Sequence, residues 1–255
     1  MFSREPRCIY RKNQLGEVIC QLRFPEILTI GTTAPAAFQE AIRADYPGYQ
    51  ALKEPQPVRP GTPPAPPQFS INHQFTSGDG IWRVNLTSKF ISLACNRYVS
   101  WEEFAARLDK PLAAFIRIYQ PAWFERVGLR YLNFFSRKSL ELDDAPWREL
   151  FHPRYLSLLA EEEVQEAGVT RCTVDADIAL RGGCRVKLHA GPGMVRRGTQ
   201  QDPELKFILD LDLYMPGKLA VNLSAGALQT LHSQAWPLFR GAITDTLHDA
   251  MEPNS

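Results

Sequence analysis

A period of two, repeated in separate parts of the chain, most constrains its fold. In Val174-Asp-Ala-Asp-Ile178 and in Leu209-Asp-Leu-Asp-Leu213, apolar and acidic residues alternate. A strand sends successive side chains to opposite faces, so each segment has one apolar and one acidic face. Asp175 and Asp177 share a face, as do Asp210 and Asp212. Between these segments Arg185, Lys187 and His189 alternate with Val186 and Leu188. Gly182-Gly183 is a turn signal, so Thr170 to Leu180 and Cys184 to His189 predict a hairpin, followed by a strand from Leu205 to Tyr214. Setting Asp177 opposite Lys187 keeps every apolar residue on one side, and a slip of one residue destroys that arrangement. The expected product is a sheet face bearing four aspartates, Arg185, Lys187 and His189.

The same period recurs earlier. Val18 to Phe24 reads as a strand, and Phe69, Ile71, His73 and Phe75 alternate with polar residues. Ser77-Gly-Asp-Gly80 marks a turn before Trp82, Val84 and Leu86, and Thr87 to Lys89 marks another before Phe90 to Cys95. Phe124 to Phe135 is a further strand. Helical spacing appears at Phe38, Ile42 and Tyr46 after Pro35, ended by Pro47-Gly48. A second helix opens at the capping box of Ser100 and Glu103 and continues through Phe104, Leu108, Leu112, Phe115 and Tyr119, with Pro111 expected to kink or split it. A third is expected from Trp147 to about Ala160, and a fourth from Ala225 to Met251 with a kink at Pro237.

Residues 55 to 67 hold seven of the 20 prolines and read as a solvated loop, or alternatively as a docking segment for an SH3-like or WW-like partner. The element order predicts an α+β fold, with antiparallel sheets covered by helices. Two related β/α halves, 1–125 and 126–255, would form one compact unit or a single domain.

At 255 residues, 44% hydrophobic and 22% charged, the chain can bury a core without metal or disulfide staples. Its 29 Lys plus Arg nearly balance 28 Asp plus Glu, which removes the simplest argument for general electrostatic binding to DNA. The five cysteines form no CxxC pair and are odd in number, as expected of free thiols in a reducing compartment. Residues 1–13 are charged and lack the apolar stretch of a secretory signal, and no apolar run reaches membrane-spanning length. A cytoplasmic location without membrane association is the expectation.

Five phrases together carry a resemblance: VICQLRFP (18–25), WRVNLTSKFISL (82–93), YVSWEEF (98–104), RVGLRYLNFF (126–135) and ILDLDLY (208–214). They resemble a sporadically distributed prokaryotic family of similar length and unknown function, with RVGLRYLN the most distinctive piece. The resemblance covers nearly the whole chain apart from the proline-rich segment. It implies no catalytic residues, and its patchy occurrence implies accessory cellular roles, including defence against phage.

Three constellations could carry chemistry. Asp175, Asp177, Asp210 and Asp212 either form the solvated face of a half-buried sheet, paired across strands with cations, or hold Mg²⁺ or Mn²⁺ for phosphoryl chemistry. Arg126, Gly128 and Arg130 share a strand face. They either clamp a phosphate or carboxylate, or make cross-strand salt bridges around a glycine that admits a packed helix. Gly191-Pro-Gly-Met-Val-Arg-Arg-Gly198 reads as a mobile surface loop in preference to an anion cradle, since the Gly-Lys-Ser/Thr ending of a phosphate-binding loop is missing. No GxSxG, HExxH or GxGxxG occurs, and the five histidines are scattered. The leading expectation is a binding or regulatory protein without a cofactor, recognising a protein or nucleic-acid partner through its exposed sheet face. The alternative is a metal-dependent enzyme acting on a nucleotide or nucleic acid, with the four aspartates as Mg²⁺ or Mn²⁺ ligands and Arg126, Arg130, Arg185 and Lys187 as anion-binding groups.

Overall fold

The structure, a computed structural model, describes residues 2–55, 69–197 and 200–254. The proline-rich stretch beyond Pro55 lies outside the described residues. Along the chain run β1 (Ile9–Tyr10), β2 (Leu15–Arg23), α1 (Leu28–Thr32), α2 (Ala36–Ile42), β3 (Gly48–Pro55), β4 (Phe69–Thr76), β5 (Trp82–Leu86), β6 (Phe90–Cys95), α3 (Trp101–Tyr119) and β7 (Phe124–Phe135). Then follow α4 (Trp147–Leu150), β8 (Val174–Ala179), β9 (Arg185–Arg197), β10 (Gln200–Leu219), α5 (Ser224–Arg240), α6 (Asp245–Ala250) and β11 (Pro253–Asn254). Nine strands hydrogen-bond in the order β3-β4-β5-β6-β2-β7-β10-β9-β8, and β1 pairs with β11 in a second sheet. The fold is α+β with antiparallel sheets.

The chain forms two compact units. One comprises Ile19–Gly128 and Pro216–Ala227. Its meander β3 to β6 is antiparallel throughout, and the turn after β4 is closed by the Gly80 N–H donating to the Ser77 carbonyl at 3.0 Å. Phe24 packs on Phe115 with ring centroids 4.6 Å apart, and Phe38 on Phe75 at 5.3 Å. Burying each such ring stabilises the unit by about 1.5–3 kcal/mol. Ser100 caps α3 by accepting from the Glu103 N–H at 3.2 Å.

Helix α3 runs without interruption through Pro111, which corrects the expected split. A proline has no N–H to give the carbonyl four residues earlier, here that of Arg107. The Tyr46 hydroxyl donates to the Arg107 carbonyl instead, at 3.1 Å. Burial pushes the Tyr46 hydroxyl pKa up to about 12, so it keeps the proton it donates.

The other unit comprises Met1–Val18, Leu129–Met215 and Leu228–Ser255. Phe151 stacks on Phe207 at 3.8 Å between centroids, with Phe135 and Trp147 against them. Two expected helices end early here, for one reason. Phe151 and Ile243 form an antiparallel bridge, flanked by the His152 N–H donating to the Ala242 carbonyl and the Thr244 N–H to the Leu150 carbonyl. The bridge stops α4 at Leu150 instead of Ala160, aided by Pro153, and ends the last long helix, which contains Pro237, after Arg240 instead of letting it run on to Met251. Helix α6 restarts at Thr244, whose hydroxyl accepts from the Leu247 N–H. The N-terminal segment docks on α5: Trp236 Nε1 donates to the Glu5 carbonyl at 2.9 Å, and Arg240 Nε donates to the Glu5 carboxylate at 2.6 Å.

Candidate functional site

Strands β8, β9 and β10 form the C-terminal run of the large sheet. Their apolar alternates turn inward: Val186, Leu188, Leu209, Leu211 and Leu213 are all buried. The polar alternates therefore face out together. The register is the one that the apolar pattern demands, with Asp177 opposite Lys187 and Asp175 opposite His189. On the other side of β9, His189 faces Asp210, Lys187 faces Asp212 and Arg185 faces Tyr214.

Each of three aspartates has a defined partner. Asp175 Oδ1 accepts from His189 Nδ1 at 2.7 Å, and this bond, ahead of smaller contributions, holds the Asp175 carboxyl below the usual carboxylate range. Desolvation pushes Asp177 upward, but hydrogen bonds from Arg185 and Tyr214 outweigh it, so the net shift is again downward. Arg185 Nε donates to Asp177 Oδ1 at 3.0 Å and the Tyr214 hydroxyl donates to the same carboxylate at 3.2 Å. Asp210 is held from β7: Arg130 Nε and Nη2 grip its two oxygens at 2.8 and 2.5 Å, a fork-on-fork pair that raises the guanidinium pKa further. Lys187 Nζ stands 5.8 Å from the centre of the Tyr214 ring.

The face is an open groove of about 500 Å³. Of the residues singled out by pattern, Asp175, Asp177, Asp210, Asp212, Arg130, Lys187 and His189 line it. Arg185 joins through Asp177. Arg126 belongs to the other compact unit and is not among the lining residues; its guanidinium folds over Gly128, where an added Cβ would meet Nη1. Gly128 thus makes room for a side chain of its own strand, where a packed helix was expected.

The segment from Gly191 to Arg197 is strand, which corrects the expected surface loop. Gly191 pairs with Ile208 and Gly193 with Lys206, and an added Cβ at Gly191 would lie 2.6 Å from the Cys172 carbonyl oxygen. Gly198 lies outside the described residues.

In the amino-acid pattern the arginines of β7 and the aspartates of β10 stand as separate candidates, and Tyr214 is not among the candidates. The signal for Tyr214 was present, since it follows Asp212 by two residues and so shares its face. Nothing local announces that Arg130 reaches Asp210.

A hard divalent cation needs two or three carboxylates converging without intervening cations. Here Arg130, Lys187 and Arg185 stand among the aspartates. Among the described residues, no group of three or more His, Cys, Asp or Glu side chains is placed to hold a metal. No helix among them is long and apolar enough to cross a membrane. No protein-family model and no curated protein matches this chain.

Proposed function

We propose that the chain is a non-catalytic binding protein that recognises a protein partner through the charge-striped face of β8, β9 and β10. The observation that carries this reading is the pairing of polar groups from strand to strand: Arg185 with Asp177 and Arg130 with Asp210 as opposite charges, and His189 with Asp175 through a hydrogen bond. Carboxylates already bonded to protein cations are poor ligands for Mg²⁺ or Mn²⁺, and a face with both signs interleaved suits a polyanionic backbone badly. Interleaved charge instead rewards a surface of matching pattern, which sets specificity and encounter rate in protein association. A cytoplasmic setting belongs to the same reading and is supported by the five cysteines, all unpaired. The resemblance to a sporadically distributed prokaryotic family would make the role an accessory one, with defence against phage among the candidates.

The test is capture of partners from nuclease-treated lysate by the wild-type chain and by Lys187→Glu, with Arg43→Glu on the other unit as control. A protein held by wild type and control but lost in a folded Lys187→Glu chain is the expected result. Nuclease-sensitive retention would replace the protein partner with nucleic acid. Saturable stabilisation by Mg²⁺ or Mn²⁺ in thermal unfolding, lost in Asp175→Asn and in Asp210→Asn, would restore the metal-dependent enzyme with its four aspartates as ligands.

A further inference from the structure

The charge on this face changes sign at every strand. Arg130 on β7 is basic, Asp210 and Asp212 on β10 are acidic, Lys187 and His189 on β9 are basic, and Asp175 and Asp177 on β8 are acidic. There the series stops, because β8 is the last strand of the sheet. Among the described residues, no backbone hydrogen bond outside the sheet's own ladders involves positions 174–179. A terminal strand presents a row of backbone donors and acceptors that another strand can complete. We propose that the open edge of β8 takes up an extended segment of a partner protein in which basic residues alternate with apolar ones. This deepens the protein-binding reading of the same face and rests on it.

Strand β9 already shows the chemistry that β8 accepts. Its Lys187-Leu188-His189 lies opposite Asp177-Ala176-Asp175, a basic–apolar–basic triplet against an acidic–apolar–acidic one. A strand added on the outer side would meet the same two carboxylates in the same spacing. They have room for it, since the side chains of Asp175 and Asp177 are 65% and 42% exposed despite their present partners. An ionised carboxylate accepts several hydrogen bonds, so a second cation can bind without displacing the first. The apolar positions of the incoming segment would extend the side formed by Val174, Ala176 and Ile178, which are only half-buried. A second copy of this chain is a poor occupant, because β8 against β8 sets carboxylate beside carboxylate in either direction. The acidic row thus discourages self-pairing and selects a basic strand.

The probe is a synthetic peptide of alternating lysine and valine, with a glutamate–valine peptide and a version of the lysine peptide N-methylated at alternate residues as controls. Binding is read by fluorescence anisotropy, and its location by amide hydrogen exchange. The lysine peptide should bind saturably and slow exchange at 174–179. The glutamate peptide should not bind, and N-methylation, which keeps the charge and removes ladder donors, should weaken binding at least tenfold. Asp175→Asn with Asp177→Asn should weaken it to a similar degree. Equal binding of the N-methylated peptide, protection elsewhere, or no binding of the lysine peptide would each overturn the edge proposal. If Lys187→Glu still abolishes capture of a lysate protein, the face keeps its role and only the edge is lost. If capture is unaffected as well, both readings fall.

Discussion

The hydroxyl of Tyr46 does the work that a backbone N–H does elsewhere in α3. Removing it leaves the Arg107 carbonyl opposite Pro111 without a donor, and Tyr46 is itself buried. Tyr46→Phe should therefore destabilise the protein by about 1–3 kcal/mol, measured by urea unfolding, although the change deletes a single oxygen. Combining it with Pro111→Ala, which restores the helical donor, should recover most of the loss. Independent, additive effects of the two substitutions would show that Tyr46 acts otherwise. At the same scale, Arg126 and Arg130 have the same chemistry and part company. Arg130 grips Asp210, whereas Arg126 folds over Gly128 in the other compact unit. Their spacing along β7 was visible in the amino-acid pattern. Their different neighbours were not, because those come from strand order and from chain packing over a glycine.

For the β8–β9 hairpin, charge pairing gives a pH dependence with a definite sign. Asp175 and Asp177 both titrate below the ordinary carboxylate value in the folded state. A depressed folded pKa stabilises the protein above the unfolded value, about 3.9, and that contribution fades as pH falls through the folded value. The hairpin should loosen below about pH 4, and the Asp175→Asn, Asp177→Asn double variant should show a shallower loss of stability on the acid limb. Unfolding curves taken across that range decide it; parallel acid limbs would mean that these pairs do not contribute. The register of this hairpin was legible in the chain, because alternation is local and a one-residue slip would bury charge. Helix ends were less legible. Nothing near Leu150 or Arg240 shows that Phe151 and Ile243 will pair, and that pairing ends both α4 and α5.

On the scale of the whole molecule, one compact unit is assembled from three separated stretches, and the chain ends meet within it. Strand β1 pairs with β11, Ile9 opposite Asn254, and Glu5 is held by Arg240 and Trp236. Deleting residues 2–11 removes all of these contacts, so the melting temperature should fall by about 5 °C or more, well beyond what trimming a frayed end produces. An unchanged melting temperature would mean that the N-terminal segment does not hold α5. Contacts between distant stretches also separate what the sequence determines from what it leaves to the fold. The positions of β2 and of β4 to β8, the turn residues, the Ser100 cap and the placing of four aspartates on one face follow from side-chain alternation and backbone preference, which act over a few residues, whereas β3 and the strand from Gly191 to Arg197 do not. The place of β8 at the sheet edge, the reach of Arg130 to Asp210, the closure of Tyr214 on Asp177 and the rescue of α3 by Tyr46 were decided only in the tertiary structure. Each depends on which distant segment becomes a neighbour, and that is a property of the whole chain's packing that no local pattern contains.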